Sequence, residues 1–98
     1  MYRFQEYYIP ERMMGGIQRW VEHACPAGDF LMAVFRNDLA AACGRADEEN
    51  MANLPAYVAY LHNECPSGCW GSEEQVIAWT PEMAEKVAAI RATYQDTK

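Results

Sequence analysis

The residues that come nearest to a reactive centre are two histidines and four cysteines. His62, Cys65 and Cys69 form a His-x2-Cys-x3-Cys run, and His23-x-Cys25 offers a second pair. Thiolate and imidazole suit zinc in a tetrahedron. A single Cys-x3-Cys falls short of the paired sets that build structural zinc sites, and a free cysteine also serves as a small buried hydrophobe. His62 and Cys65, three apart, could instead meet on a helix face as a nucleophile pair. That chemistry needs a lowered thiol pKa, an orienting group and an oxyanion hole. None is readable, and Glu64 beside Cys65 would raise the thiol pKa. Cys43, in an alanine-rich stretch, reads as a packing residue. No phosphate-cradling glycine loop, nucleophile elbow or metalloprotease helix is present in the sequence. The reading is therefore no catalytic residue and no cofactor, with His62, Cys65 and Cys69 as the metal candidates.

The carboxylates are the second group. Net charge is −6, and it is unevenly placed. Residues 1–46 hold five acids and five bases, whereas residues 47–98 hold nine acids and three bases. Asp47, Glu48, Glu49, Glu73 and Glu74 are the candidate partner-binding residues. Helix capping explains both runs, because carboxylates favour the positive pole of a helix. The two acidic helix starts could also form one negative patch for a basic partner, including one that normally holds nucleic acid. Direct nucleic-acid binding is disfavoured, since phosphates call for clustered Lys and Arg and this chain has two Lys and six scattered Arg. If the patch works, reversing Asp47, Glu48 and Glu49 together should weaken binding and leave the fold intact.

The elements that must position these groups read as helices. Tyr2–Ile9 alternates imperfectly, like a half-buried strand, and no later segment makes a partner for it. It is expected as an extended arm on the helices, or as an edge pairing between chains. Pro10 can open a helix with Met13, Ile17, Trp20, Val21 and Ala24 on one face. Gly15-Gly16 interrupts it, which implies a separate first turn or a closely crossing element. Phe30, Leu31, Val34 and Phe35 mark a second helix, and Asn37 or Asp38 caps a short third one, Leu39 to Arg45. Asp47 opens another, with Met51, Leu54, Val58 and Leu61 as its face, kinked at Pro55 or restarting near Asn53. Ser72-Glu73-Glu74-Gln75 is a capping box. Gly68-Cys69-Trp70-Gly71-Ser72 reads as a tight turn in which Trp70 plugs the core, or as an exposed binding tryptophan. Thr80-Pro81 starts a last helix with Met83, Val87, Ile90 and Tyr94 on one face.

Several of these pieces carry a resemblance. Pro10-Glu11-Arg12-Met13-Met14, Gly16 to His23, Asn37-Asp38-Leu39, Arg45 to Asn50 and Cys69-Trp70-Gly71-Ser72 resemble a family of short, uncharacterised proteins of tailed phages and prophages. The resemblance spans roughly residues 8–80. Cys25, Cys43 and Cys65 depart from its pattern, and the stretch after Thr80 lies outside it. It implies no catalytic or binding residue. What it implies is a setting, in which small acidic proteins bind host or phage proteins and some inhibit host defence, including CRISPR effector complexes.

The sequence thus predicts an all-α domain, a small irregular bundle of five or six short helices with an extended N-terminal arm. Residues 1–98 form one domain: arm 1–9, helical core 10–95, frayed tail 96–98. Trp20, Phe30, Leu31, Val34, Leu54, Val58, Leu61, Trp70, Val76, Trp79, Val87 and Ile90 should dominate the core. The function expected is a non-enzymatic accessory protein acting by protein–protein binding in the host cytosol, with no membrane contact. Two alternatives stand beside it: a small metal or thiol protein built on His62, Cys65 and Cys69, and a self-associating module joined through Tyr2–Ile9.

Overall fold

The alternating N-terminal stretch folds back on itself. In the computed structural model, which describes residues 1–80, Tyr2–Phe4 (β1) pairs antiparallel with Tyr7–Ile9 (β2), with Tyr2 opposite Ile9 and Phe4 opposite Tyr7. The reversal takes only Gln5 and Glu6, and Gln5 sits at a φ of 56°. The chain is mostly helical but not all-α, and the expected extended arm is a hairpin. The partner strand was missed because two-residue hairpin turns are normally announced by Asn-Gly or Asp-Gly, and Gln-Glu carries no such sign. Cross-strand partners share a face. Tyr2, Phe4, Tyr7 and Ile9 therefore face one way, Arg3 and Tyr8 the other. Ile9 is buried, and Tyr2 meets Tyr60 edge-on at 4.9 Å.

Six α-helices and one 3-10 turn follow among the described residues. Glu11–His23 (α1) runs unbroken through Gly15-Gly16 and buries Met14, Ile17 and Trp20. The glycines mark a close crossing: a Cβ on Gly16 would stand 3.1 Å from Leu31 Cδ1. Leu31 belongs to Asp29–Phe35 (α2), which also buries Phe30, Ala33, Val34 and Phe35. Phe35 stacks on Trp20 at 5.5 Å, and Phe30 meets Tyr57 edge-on at 5.3 Å.

A left-handed Asn37, φ 59°, ends α2. Its amide donates to the Val34 carbonyl and that of Asp38 to Ala33, both at 3.0 Å. This is the Schellman pattern that satisfies the last helical carbonyls. Asp38 then caps Leu39–Arg45 (α3) by accepting from the Ala41 amide at 3.1 Å. The carboxylate that would have lain on a buried face of a longer helix is thereby left at the surface.

Glu48–Ala52 (α4) and Leu54–Glu64 (α5) are divided at Asn53, with Pro55 in the first turn of α5. Of the expected face Met51, Leu54, Val58 and Leu61, Leu61 is buried and Leu54 partly buried, but the inward face as a whole is a different one. It is Asn50, Asn53, Ala56, Tyr57 and Leu61, while Met51 and Val58 are 43% and 51% exposed. Two asparagines face inward because, among the described residues, no buried side-chain polar atom is left without a partner. Asn50 Oδ1 accepts from the Tyr57 hydroxyl at 2.5 Å. Asn53 Oδ1 accepts from the Tyr8 amide at 3.0 Å, and its Nδ2 donates to the Glu49 carbonyl at 2.8 Å. A hydrogen-bonded buried amide costs little, whereas an unpaired one is expensive. Val58 is thus removed from the expected core.

A 3-10 turn, Ser67–Cys69, leads to Glu73–Trp79 (α6), which buries Val76. Leu54, Trp70 and Trp79 pack only partly buried against the core, and Cys69 is fully buried in the place expected of Trp70. The final helix, its Met83, Val87, Ile90 and Tyr94 face, and the tail lie outside the described residues.

Candidate functional site

The acidic run at the start of α4 is built into a four-residue cluster. Asp47 Oδ1 caps α4 by accepting from the Asn50 amide at 2.8 Å. Arg12, in the first turn of α1, donates to Asp47 and to Glu49 at 3.0 Å each. Tyr8, on the outward face of β2, donates its hydroxyl to the other Glu49 oxygen at 2.7 Å. The cluster joins hairpin, α1 and α4 at one corner.

Its charges are tuned accordingly. The Tyr8 hydrogen bond, then Arg12, holds the Glu49 carboxyl below its usual range. The Asn50 amide, helped by Arg12, does the same for Asp47. The Arg12 guanidinium is held more firmly protonated by Glu49 and Asp47, and the Tyr8 phenol is raised by its bond to Glu49. Two of the five expected partner-binding acids are therefore occupied inside the molecule.

Glu48 is not. It is exposed, and it lines an open cleft between hairpin and α4 together with Glu6, Tyr7, Tyr8 and Glu49. Glu6 belongs to the hairpin turn, which no turn residue announces, so its approach to Glu48 is not legible from the residues alone. Glu73 and Glu74 form the first turn of α6 behind the Ser72 cap. Glu73 borders a different cleft, with Arg36, Asn37, Asp38 and Leu39. The two acidic helix starts thus line separate clefts.

The Cys69-Trp70-Gly71-Ser72 stretch is a structural clamp. The buried Trp20 indole donates to the Cys69 carbonyl at 2.9 Å. The Gly71 amide donates to the Phe35 carbonyl at 2.7 Å. Ser72 Oγ accepts from the Gln75 amide at 3.1 Å, and Gln75 Nε2 donates back to the Ser67 carbonyl at 3.1 Å. Gly71 has a φ of 115°, which favours glycine, and a Cβ there would fall 2.6 Å from Gln75 Oε1. Trp79 closes the clamp by donating to the Trp20 carbonyl at 2.9 Å.

The thiol and imidazole candidates are not assembled. His62 is exposed, Cys65 half-buried and Cys69 buried. Among the described residues no three His, Cys, Asp or Glu side chains are placed to hold a metal ion. Burial pushes the Cys65 thiol up to about 12, helped by Cys69 and Glu64, and raises Cys69 too. These are protonated, poorly nucleophilic thiols at neutral pH. Cys69 Sγ lies 3.1 Å from the Pro66 carbonyl as a weak donor.

One apolar feature remains. Leu39 of α3 and Val58 of α5, 69% and 51% exposed, flank a recess of about 50 Å3 floored by Val34, Ala42 and Leu54. No helix among the described residues is long and apolar enough to cross a membrane. Comparison of the chain with protein-family models, with curated proteins and with solved structures finds no match.

Proposed function

We propose that this chain is a non-enzymatic, phage-type accessory protein that acts by binding another protein in the host cytosol, and that it does so through the cleft between the hairpin and α4. The observation that carries the reading is the division of labour among the carboxylates at this corner. Asp47 and Glu49 are held by Arg12 and Tyr8, whereas Glu6 and Glu48 are exposed on a cleft walled by Tyr7 and Tyr8. Carboxylates beside aromatic rings suit the guanidinium or ammonium of a basic partner, through ion pairing and cation–π contact.

The resemblance to short phage and prophage proteins supplies the setting. A basic, phosphate-binding surface on a nucleic-acid-handling host complex is the kind of partner this face fits. Inhibition of a defence complex such as a CRISPR effector is the specific form. The metal and thiol alternative draws no support from the site, since His62, Cys65 and Cys69 do not converge and the thiols of Cys65 and Cys69 are held protonated.

Charge reversal tests the reading, but not at the three consecutive acids. Reversing Asp47 would remove a helix cap, and reversing Glu49 would place a cation against Arg12, so lost binding would be confounded with lost fold. Glu6→Lys with Glu48→Lys avoids both. That double variant should keep the wild-type circular dichroism spectrum and bind the partner at least about tenfold more weakly, the effect of roughly 1.4 kcal/mol. Unchanged affinity would overturn the assignment of this cleft.

A further inference from the structure

We propose that Arg12 is an internal competitor for the acidic cleft: a guanidinium of the partner takes its place on Glu49 when the two proteins meet. This rests on the binding reading given above and specifies how that site is guarded. Glu49 belongs to both arrangements. It lines the cleft with Glu6, Tyr7, Tyr8 and Glu48, and it is also an acceptor for Arg12. What occupies Glu49 in the free chain therefore decides what an incoming cation finds there.

The hold of Arg12 is geometrically weak. A single nitrogen, Nη2, serves both Asp47 Oδ2 and Glu49 Oε1 at 3.0 Å each. The other terminal nitrogen, Nη1, donates to the Met13 sulfur at 3.4 Å, a weak acceptor. Neither carboxylate thus receives the two parallel N–H···O bonds that make arginine–carboxylate pairs strong. The side chains of Arg12, Asp47 and Glu49 are 51%, 53% and 41% exposed, so water and salt compete for the contact. A partner arginine entering the cleft can offer Glu49 the full fork. The Tyr8 hydroxyl donates to the other Glu49 oxygen, and that bond can stay, because each carboxylate oxygen has two acceptor sites. Arg12 is not stranded by the exchange. It keeps Asp47, whose other oxygen continues to cap α4. A lysine has no planar fork to offer, so the exchange selects arginine-bearing partners.

The probe is a capped tetra-arginine peptide, titrated into the full chain at one low salt concentration and compared with tetra-lysine. In the wild type the Arg12 Nε–H resonance should move as tetra-arginine saturates, and move less with tetra-lysine. Arg12→Gln should bind tetra-arginine about fivefold more tightly, the most that an exposed ion pair withholds from a competitor. Arg19→Gln makes the same change of charge at an exposed site further along α1. It should gain about twofold at most, since screened charges act weakly at a distance. Equal gains in the two variants, or an Arg12 resonance unmoved at saturation, would overturn the proposal. The cleft reading would still stand in that case if Glu6→Lys with Glu48→Lys abolished binding. No binding of either peptide to wild type or to Arg12→Gln would remove that reading, and the proposal with it.

Discussion

The corner at Arg12 and the clamp at Cys69–Ser72 both tie distant parts of the chain together, but with opposite chemistry. The clamp works through neutral groups around a buried centre. Indole and amide donors meet backbone carbonyls around buried Trp20 and Cys69. The corner works through an arginine, two carboxylates and a phenol, all at least partly exposed. Buried hydrogen bonds are costly to break because the orphaned group finds no water. Exposed ion pairs contribute little because solvent and salt replace them. Stability should therefore reside in the clamp, leaving the corner free to carry charge for another purpose.

Substitutions at the clamp should break this comparison most visibly. Trp20→Ala removes the largest fully buried side chain and the donor to Cys69, and should cost about 3–5 kcal/mol by urea denaturation. Gly71→Ala forces a side chain into a left-handed backbone and against Gln75, and should cost about 1–3 kcal/mol. Ser72→Ala loses the cap on α6, about 1 kcal/mol. Arg12→Ala should lower the urea midpoint less than any of these. A larger drop than that of Gly71→Ala would reverse the ranking of the two regions.

Acid separates the regions without mutation. Asp47 and Glu49 are depressed in the fold, so their contribution is complete above the ordinary carboxylate range, near pH 4. It is lost as pH falls through their lower folded values. The clamp contains no carboxylate. Protection of the Tyr8 and Asn50 amides, taken relative to their intrinsic exchange rates, should therefore fall in acid before that of the Trp20 indole. Equal pH dependence at both places would contradict the assignment. The smallest effect is chemical. Exposed Cys25 should be alkylated first, half-buried Cys65, raised to about 12, more slowly, and buried Cys69 last.

The punctuation of the helices was readable from the residues. Asp38, Asp47 and Ser72 cap where their side chains and positions imply. Asn53 and Pro55 divide α4 from α5, and Gly16 admits a crossing helix. What escaped was decided by groups far apart in sequence. The inward face of α4 and α5 depends on Tyr8 and Tyr57 satisfying two asparagines, which a count of apolar positions cannot register. Trp70 yielded its place in the core to Cys69, whose neighbouring carbonyl is needed by Trp20, 49 residues away. The hairpin turn had no glycine to announce it, and with it went Glu6, half of the free acidic pair. The carboxylate cluster itself was visible in the run Asp47-Glu48-Glu49. Only the structure separates the two members that Arg12 binds from Glu48, which it does not.

The most direct measurement expresses the tagged full-length chain, and its Glu6→Lys, Glu48→Lys counterpart, in bacterial cells and quantifies what co-purifies with each. The account predicts one protein or complex in stoichiometric amount on the wild type and its loss from an equally well folded variant. A wild-type chain that emerges with nothing attached, or a partner retained equally by both, would contradict it.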